Sequence, residues 1–207
     1  GYYLDNSKLS ITGGNFDISN LGILVYGLNS SAIDYLSSTG TSSSSASSLS
    51  PAKPVFYLDN STLNFGTANP LFTINNNSIG VYANNSSIIG SSSYELGQNS
   101  VGIYSNNPTT TVKNDVASTI TSIAGSSPNA KGIVVKNGNV ENAGLIALTG
   151  DKAVGVYLEG NGSNTVINTG KVIMNGDEAI GIYSTGVSSL INNGGEVKVG
   201  NSSSLST

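Results

Sequence analysis

The feature that most constrains this chain is a short motif that recurs along most of its length. The motif is a glycine followed by Ile or Val and then by Tyr or Val. Its clear copies are Ile79-Gly80-Val81-Tyr82, Val101-Gly102-Ile103-Tyr104, Lys131-Gly132-Ile133-Val134, Val154-Gly155-Val156-Tyr157 and Ile180-Gly181-Ile182-Tyr183. Successive motif glycines lie 22, 30, 23 and 26 residues apart, and a looser copy begins at Leu21. A period in this range is typical of proteins in which each repeat packs against the next.

Two further similarities define the same unit. Asn-x-Gly segments recur out of phase with the first motif, at Asn142-Ala143-Gly144, Asn168-Thr169-Gly170 and Asn192-Asn193-Gly194, with spacings of 26 and 24 residues. The segment Tyr3-Leu4-Asp5-Asn6-Ser7 recurs as Tyr57-Leu58-Asp59-Asn60-Ser61, and a weaker version begins at Tyr82. Because these motifs interleave with one period, the repeat covers most of the chain.

The local pattern within each repeat is typical of short strands. Apolar residues alternate with small or polar ones, as in Glu196-Val197-Lys198-Val199, and the runs end at Asn-Gly, Gly-Asp or Ser-Gly. Three architectures have such strands: a parallel solenoid, a propeller and a hairpin array. A propeller blade needs about 40 residues, and few Asn-Gly turns are flanked by two alternating strands. We therefore predict an all-β fold, a parallel β-solenoid with 22–30 residues in each coil.

A solenoid places like residues of successive coils above one another, about 4.8 Å apart. We expect ladders of Asn at the corners, because Asn tolerates the left-handed backbone conformation and its amide can bond to the Asn of the next coil. Alternation along the last motif predicts that Ile180 and Ile182 point inward and that Gly181 and Tyr183 point outward.

The chain is predicted to form one β-helix domain, residues 1–207, and its first residues suggest a fragment of a longer protein. Residues 37–54 are rich in Ser, with Leu49 as the only large apolar residue, so we predict a flexible insertion there. The 30-residue spacing between the motif glycines Gly102 and Gly132 is the longest of the four, so we predict a smaller insertion around Pro108 to Pro128. We expect residues 200–207 to be a frayed or truncated end.

Composition excludes several kinds of chemistry. The chain contains 35 Ser, 27 Asn and 26 Gly but no His, Cys, Arg or Trp. Without imidazole or thiolate there is no ordinary zinc or iron–sulfur site, no thiol nucleophile and no Ser-His-Asp triad. The eight basic residues are scattered lysines and the net charge is −4, so we expect no nucleic-acid binding. We also expect no cofactor and no required metal site.

Taken together, the motifs resemble the passenger repeats of large bacterial autotransporters. The resemblance rests on Gly-Ile/Val-Tyr, on Asn-x-Gly-x-Val/Ile, and on the paired segments Gly150-Asp151-Lys152-Ala153 and Gly176-Asp177-Glu178-Ala179. It is closest to the very long outer-membrane adhesins of fusobacteria and their relatives, and it covers residues 55–200 well and the first 36 loosely. It implies a right-handed parallel β-helix, here of roughly eight coils, carried to the bacterial cell surface by type V secretion through a C-terminal membrane barrel outside these residues.

The resemblance also implies a function in attachment. Its partner would be a protein or glycan receptor on host cells or other bacteria. The candidate binding residues are the tyrosines of the first motif, Tyr82, Tyr104, Tyr157 and Tyr183. Phenol rings combine apolar area with a hydroxyl that donates and accepts, which suits sugars and proteins alike. The sequence leaves open whether these rings bind a partner or only stack on one another.

Carboxylates are the remaining candidates for catalysis. Glycoside hydrolysis requires two carboxyl groups about 5–9.5 Å apart, and Asp151 and Asp177 hold equivalent positions one coil apart. Asp after Gly ordinarily accepts backbone N–H bonds in a turn, so we expect no catalytic residue and no enzymatic activity. The predicted function is therefore that of a surface-displayed adhesin segment. The alternatives are a structural spacer and a carbohydrate-active β-helix enzyme.

Overall fold

A computed structural model describes residues 1–14, 16, 18, 22–41, 53–162, 164–186 and 189–200. In these residues the chain forms strands β1 to β22 and one short 3-10 helix, Ile123–Gly125. Each strand pairs in parallel with the equivalent strand of the next coil. The chain is therefore a parallel β-solenoid, which confirms the predicted all-β fold, and it has about seven turns where roughly eight coils are expected from the sequence.

Three sides surround the core. The first side is one sheet of eight strands, in the order β1 (Tyr2–Asp5), β3 (Val25–Leu28), β5 (Pro54–Asp59), β8 (Ile79–Asn84), β11 (Val101–Asn106), β14 (Lys131–Lys136), β17 (Val154–Glu159) and β20 (Ile180–Thr185). The second side is a sheet of six strands, β7 (Leu71–Ile74), β10 (Ser93–Leu96), β13 (Thr119–Ser122), β16 (Leu145–Thr149), β19 (Lys171–Asn175) and β22 (Glu196–Val199).

The third side is divided into two sheets of four strands. The first contains β2 (Lys8–Ile11), β4 (Ala32–Tyr35), β6 (Thr62–Asn64) and β9 (Ser87–Ile89). The second contains β12 (Val112–Asn114), β15 (Val140–Asn142), β18 (Thr165–Asn168) and β21 (Leu190–Asn193). The division falls in the coil where the motif glycines are 30 residues apart. Residues 107–111 and the 3-10 helix Ile123–Gly125 take up that extra length.

The motif glycines form a single file along the eight-stranded sheet, as the repeat predicts. A Cβ atom on Gly102 would lie 2.7 Å from the carbonyl oxygen of Gly132, and one on Gly132 would lie 2.5 Å from that of Gly155. The same relation joins Gly80 to Gly102 and Gly155 to Gly181. No side chain fits between these carbonyls and the core, so the position requires glycine.

The sidedness predicted around Gly181 is wrong. Ile180 is 39% exposed and lies in the outward column that also contains Val154 and Lys131. Gly181 is buried, and a Cβ on it would lie 2.7 Å from a methyl of Val197. Ile182 faces the core and the ring of Tyr183 faces outward, as predicted. Alternation fails here because two successive residues, Gly181 and Ile182, face inward.

The core changes character along the axis. Aliphatic residues fill it throughout, as expected from the Ile, Val and Leu positions of the strands. In the first half, Tyr35 also packs edge-on against Phe56, Phe65 and Phe72, with ring centroids 5.5–6.1 Å apart. The repeat motifs do not indicate this aromatic cluster, because its members come from three different sides of the coil.

Asparagine occupies the corners of the coil, which confirms the expected ladders of Asn at these positions. Asn60, Asn85, Asn107 and Asn137 follow successive strands of the eight-stranded sheet and have φ angles of 51°, 45°, 47° and 52°. Their side chains bond along the axis in places: Nδ2 of Asn137 donates to Oδ1 of Asn107 over 3.0 Å. These left-handed residues let the chain turn sharply without glycine.

A second asparagine ladder lies on the third side, where Asn114, Asn142 and Asn168 are buried and Asn193, at the end, is exposed. Its members are Asn114, Asn142, Asn168 and Asn193, and each Nδ2 donates to the Oδ1 of the next over 2.6, 2.6 and 2.7 Å. The motif comparison places Asn192 in this column, but the structure places Asn193 there, one residue later. Asn114 belongs to the ladder although its segment lacks the Asn-x-Gly motif.

Part of the Ser-rich segment predicted as an insertion belongs to the stack. Ser37 and Thr41 are buried, and the carbonyl of Thr41 accepts the N–H of Thr73. Pro54 begins β5, whereas residues 42–52 lie outside the described residues, as do 201–207 of the predicted end. Within the described part of the chain, no helix has the length and apolarity that crossing a membrane requires.

Candidate functional site

One column of outward residues runs the full length of the eight-stranded sheet. Strand register places one residue of each strand in this column, in the order Tyr3, Tyr26, Tyr57, Tyr82, Tyr104, Val134, Tyr157 and Tyr183. We call this column the tyrosine ladder. It contains all four predicted binding residues, Tyr82, Tyr104, Tyr157 and Tyr183, in one file on one outer surface.

The rings of the ladder stack face to face. From Tyr3 to Tyr104 the successive ring centroids are 5.6, 4.4, 5.1 and 5.1 Å apart, and the planes differ by 12° or less. Tyr157 and Tyr183 form a second stack at 5.0 Å. Offset stacking of this kind is worth about 0.5–1.5 kcal/mol per pair beyond area burial. Each ring is thereby held in one orientation, with its outer edge in solvent.

The surroundings of three phenols in the ladder, those of Tyr57, Tyr82 and Tyr157, raise their pKa values. Partial burial against neighbouring rings raises the pKa of Tyr82, and Tyr104 and Asp59 add to the rise. The same cause raises the pKa of Tyr57 and of Tyr157. These three hydroxyl groups therefore keep their protons at neutral pH, and each can both donate and accept a hydrogen bond.

A polar ladder runs beside the tyrosines, two residues further along each strand. Nδ2 of Asn84 donates to Oδ1 of Asp59 over 2.8 Å, and Nδ2 of Asn106 donates to Oδ1 of Asn84 over 2.9 Å. Lys136 follows in the same column and is joined to Glu159 by a 3.0 Å ion pair. The outer surface of this sheet thus offers a row of aromatic rings bordered by amides and charges.

Val134 interrupts the tyrosine ladder. The motif copy Lys131-Gly132-Ile133-Val134 carries Val where the flanking copies carry Tyr, so one ring is missing between Tyr104 and Tyr157. A cavity of about 350 Å³ lies at this position. We call it the ring slot. Tyr104, Val134 and Tyr157 line it, and it extends along the sheet to Val101 and Ile79.

Charged residues border the ring slot. Lys131 lies on one side, and Lys136 and Glu159 lie on the other. The hydrogen bond to Glu159, together with the nearby Tyr104, raises the pKa of Lys136. Lys136 is therefore a stable cation at neutral pH. Among the described residues Lys131 forms no ion pair, so the border carries one positive charge in excess.

Four of the tyrosines in the ladder are predicted from the motif, and three are not: Tyr3, Tyr26 and Tyr57. A signal for two of them was present. The similarity of Tyr3-Leu4-Asp5-Asn6-Ser7 to Tyr57-Leu58-Asp59-Asn60-Ser61, and more weakly to the segment after Tyr82, aligns these tyrosines with the motif. Tyr26 lacks any such neighbour, and only its register with Tyr3 and Tyr57 reveals it.

The two Asp residues considered for catalysis take part in the stacked turns, Asp151 through its carboxylate and Asp177 through its backbone. Asp151 and Asp177 are both exposed, and Oδ1 of Asp151 accepts the backbone N–H of Asp177 over 2.9 Å. The carbonyl of Asp177 in turn accepts the N–H of Lys152. Accepting a backbone N–H, as Asp151 does here, is the usual role of an Asp side chain in a turn. In the described part of the chain, no three Asp or Glu side chains converge as metal ligands do.

Comparison of the chain with protein-family models, with curated proteins and with solved structures found no match.

Proposed function

We propose that this chain is a segment of a bacterial surface autotransporter passenger and that it attaches the cell to host cells or to other bacteria. The passenger assignment rests on the motifs Gly-Ile/Val-Tyr and Asn-x-Gly. The attachment role rests on one observation, the file of stacked tyrosines on the outer surface of the eight-stranded sheet. On this proposal the protein is exported and displayed at the cell surface, and its partner is a protein or glycan receptor.

The geometry of the ladder suits recognition. Tyrosine gives a large contact area at a small cost in conformational entropy, because it has two side-chain torsions. Here the stacking already holds each ring before a partner arrives, so little further ordering is needed on binding. The rings repeat at 4.4–5.6 Å along the axis, so a flat or extended partner can contact several of them at once.

A structural spacer is the second candidate, and the buried asparagine ladder favours it. The amides of Asn114, Asn142 and Asn168 are used entirely within the stack and contribute nothing to the surface. The carboxylate of Asp151 likewise accepts a hydrogen bond from the neighbouring coil. A rod of this kind holds another domain at a distance without binding anything itself.

Attachment assays separate these functions. The purified chain is tested for binding to host cells, to other bacteria and to immobilised glycans, alongside a variant with Tyr82, Tyr104 and Tyr157 each replaced by Ala. An adhesin binds and the triple variant loses most of that binding. A spacer shows no binding in either form, and a carbohydrate-active enzyme releases reducing ends or unsaturated products.

The matched control replaces exposed apolar residues on the other sides of the coil. Leu71, Ile89 and Val116 are 46%, 48% and 83% exposed and lie outside the eight-stranded sheet. Their triple Ala variant removes comparable apolar surface and is expected to attach as the unaltered chain does. Equal attachment by the tyrosine variant and the unaltered chain contradicts the proposal.

A further inference from the structure

We infer that the ring slot between Tyr104 and Tyr157 is a binding site for one acidic pyranose residue of a glycan, a sugar ring that carries a carboxylate. The inference rests on the proposed attachment function and names the class of ligand. It is carried by the missing ring at Val134, by the two aromatic walls and by the charges at the border.

The shape of the slot matches a single ring. Tyr104 and Tyr157 are two rungs apart, which is about 10 Å at ordinary strand spacing. A ring inserted midway lies about 5 Å from each wall, as neighbouring rings of the ladder do. The volume of about 350 Å³ is at the lower end of small-ligand pockets, which span roughly 300–1,000 Å³.

The chemistry of the slot matches a sugar. The two faces of a pyranose ring carry C–H groups, which pack on aromatic faces, and its hydroxyls project from the rim. The walls of the slot are aromatic on both sides. At the border, Lys136 provides hydrogen-bond donors and Glu159 provides acceptors, within 3.0 Å of each other. A stacked sugar therefore meets apolar groups on its faces and polar groups at its edge.

The charge at the border selects an acidic sugar. The border carries two ammonium groups, those of Lys131 and Lys136, and one carboxylate, that of Glu159. Only Lys136 forms an ion pair with Glu159. The chain as a whole carries −4, so this local excess of positive charge opposes the net charge of the protein. A carboxylate on the ring supplies the missing partner of Lys131.

Two probes that differ only at the carboxylate test the inference. Methyl β-glucuronide and methyl β-glucoside are titrated against the whole chain, with saturation-transfer NMR to identify the bound ring face. The expected result is tighter binding of the glucuronide, by about fivefold, which is the upper range for an exposed ion pair. Equal affinity for the two probes, or no binding of either, overturns the inference.

Val134→Tyr tests the slot without removing any part of it. The substitution restores the ring that every other rung of the ladder carries, so the fold is retained while the slot is filled. We expect the binding of both probes to fall at least tenfold and the melting temperature to be kept or raised. Unchanged sugar binding in Val134→Tyr shows that the sugar sits elsewhere and overturns the inference.

Lys131→Gln tests the charge. It is expected to reduce glucuronide binding to the level of the glucoside, while Lys53→Gln, an exposed lysine away from the slot, leaves the preference unchanged. N-acetyltyrosinamide is included as a competitor. If N-acetyltyrosinamide does not displace the sugar probes, the result supports the sugar assignment. If it binds the slot more tightly than either sugar, the occupant is an aromatic side chain of a protein partner and the inference is wrong.

The attachment assay distinguishes this inference from the proposed function. Attachment that is lost in the Tyr82, Tyr104 and Tyr157 triple variant but kept in Val134→Tyr overturns the slot as the attachment site and leaves the proposed function in place. Attachment that neither variant alters contradicts the proposed function itself.

Discussion

The side-chain amide of Asn142 donates to Oδ1 of Asn168 over 2.6 Å in the interior of the protein, and the two residues hold the same position in successive coils. Both side chains are fully buried. Asn114 and Asn193 continue the line in either direction. Because each amide donates to one neighbour and accepts from the other, the ladder satisfies a polar group in every coil of the second half of the solenoid.

Replacing one member therefore affects both neighbours. Asn142→Ala is expected to lower the free energy of unfolding by about 2–4 kcal/mol, because it leaves the amide of Asn114 and the oxygen of Asn168 buried without their ladder partner. Chemical denaturation measures the change. Asn192→Ala, at an exposed position of β21, is the control and is expected to change stability by less than about 0.5 kcal/mol. Similar losses in the two variants contradict this account of the ladder.

Ser105 is predicted to lower stability. Its side chain is fully buried, its hydroxyl has no hydrogen-bond partner, and it lies in register between Ala83 and Val135. Ser105→Ala removes the unsatisfied hydroxyl and repeats the residue of the preceding coil. We expect an increase in the free energy of unfolding of about 1 kcal/mol.

A buried serine with a partner is the control for Ser105. The hydroxyl of Ser100 donates to the carbonyl of Gly97 over 2.7 Å. Ser100→Ala should therefore destabilise the protein, by about 1 kcal/mol. The prediction fails if thermal denaturation gives both substitutions the same sign.

The motif glycines are predicted to resist even the smallest side chain. A Cβ at position 132 would lie 2.5 Å from the carbonyl oxygen of Gly155, in the backbone of the next coil. Gly132→Ala must separate two rungs, and we expect a loss of about 1–3 kcal/mol. Gly162→Ala is the matched control, because a Cβ there meets no atom within 4 Å. Loss of less than about 0.5 kcal/mol at position 132 would show that the coils can adjust.

Alkaline pH is expected to destabilise the protein through Tyr35. Its ring is fully buried, its hydroxyl donates to the carbonyl of Thr39, and burial raises its pKa from 10.0 to about 12. Because the folded state holds this proton more tightly than the unfolded state, the contribution is complete below pH about 10 and is lost as the pH rises through about 12.

Tyr35→Phe isolates that contribution. The variant cannot ionise at this position, so its free energy of unfolding should fall less steeply than that of the unaltered protein between pH 10 and 12. Denaturation at pH 8, 10 and 11.5 measures both slopes, and lysine titration affects the two proteins equally. Identical slopes would assign the alkaline destabilisation to other groups.

Some of the candidate site could be predicted from the repeat alone. The alignment of Tyr82, Tyr104, Tyr157 and Tyr183 follows from the motif, and the structure places them in one file. The same alignment contains Val134 as the copy that departs from the pattern. The cavity beside Val134 could not be predicted from the motif. It forms only because the rings of the two neighbouring rungs face the same way, and the motif does not give the orientation of those rings.

The orientation of Ile180 and the place of Asn114 in the buried ladder could not be predicted from the motifs. Strict alternation predicts Ile180 inside, but Gly181 and Ile182 both face inward, which leaves Ile180 39% exposed. Asn114 joins the buried ladder although no glycine follows it at the motif spacing. Its position is set by the pairing of β12 with β15, which is a property of the stacked coils.

The sequence by itself determined the period of the coil, the strands, the glycine file and the outward tyrosines, because a repeat constrains every coil in the same way. Only the tertiary structure decided which departures from the repeat matter. The ring slot, the aromatic cluster around Tyr35 and the unpaired hydroxyl of Ser105 each depend on residues brought together from different coils. Their physical cause is stacking at about 4.8 Å, which turns a single substitution in one repeat into a gap or a contact between its neighbours.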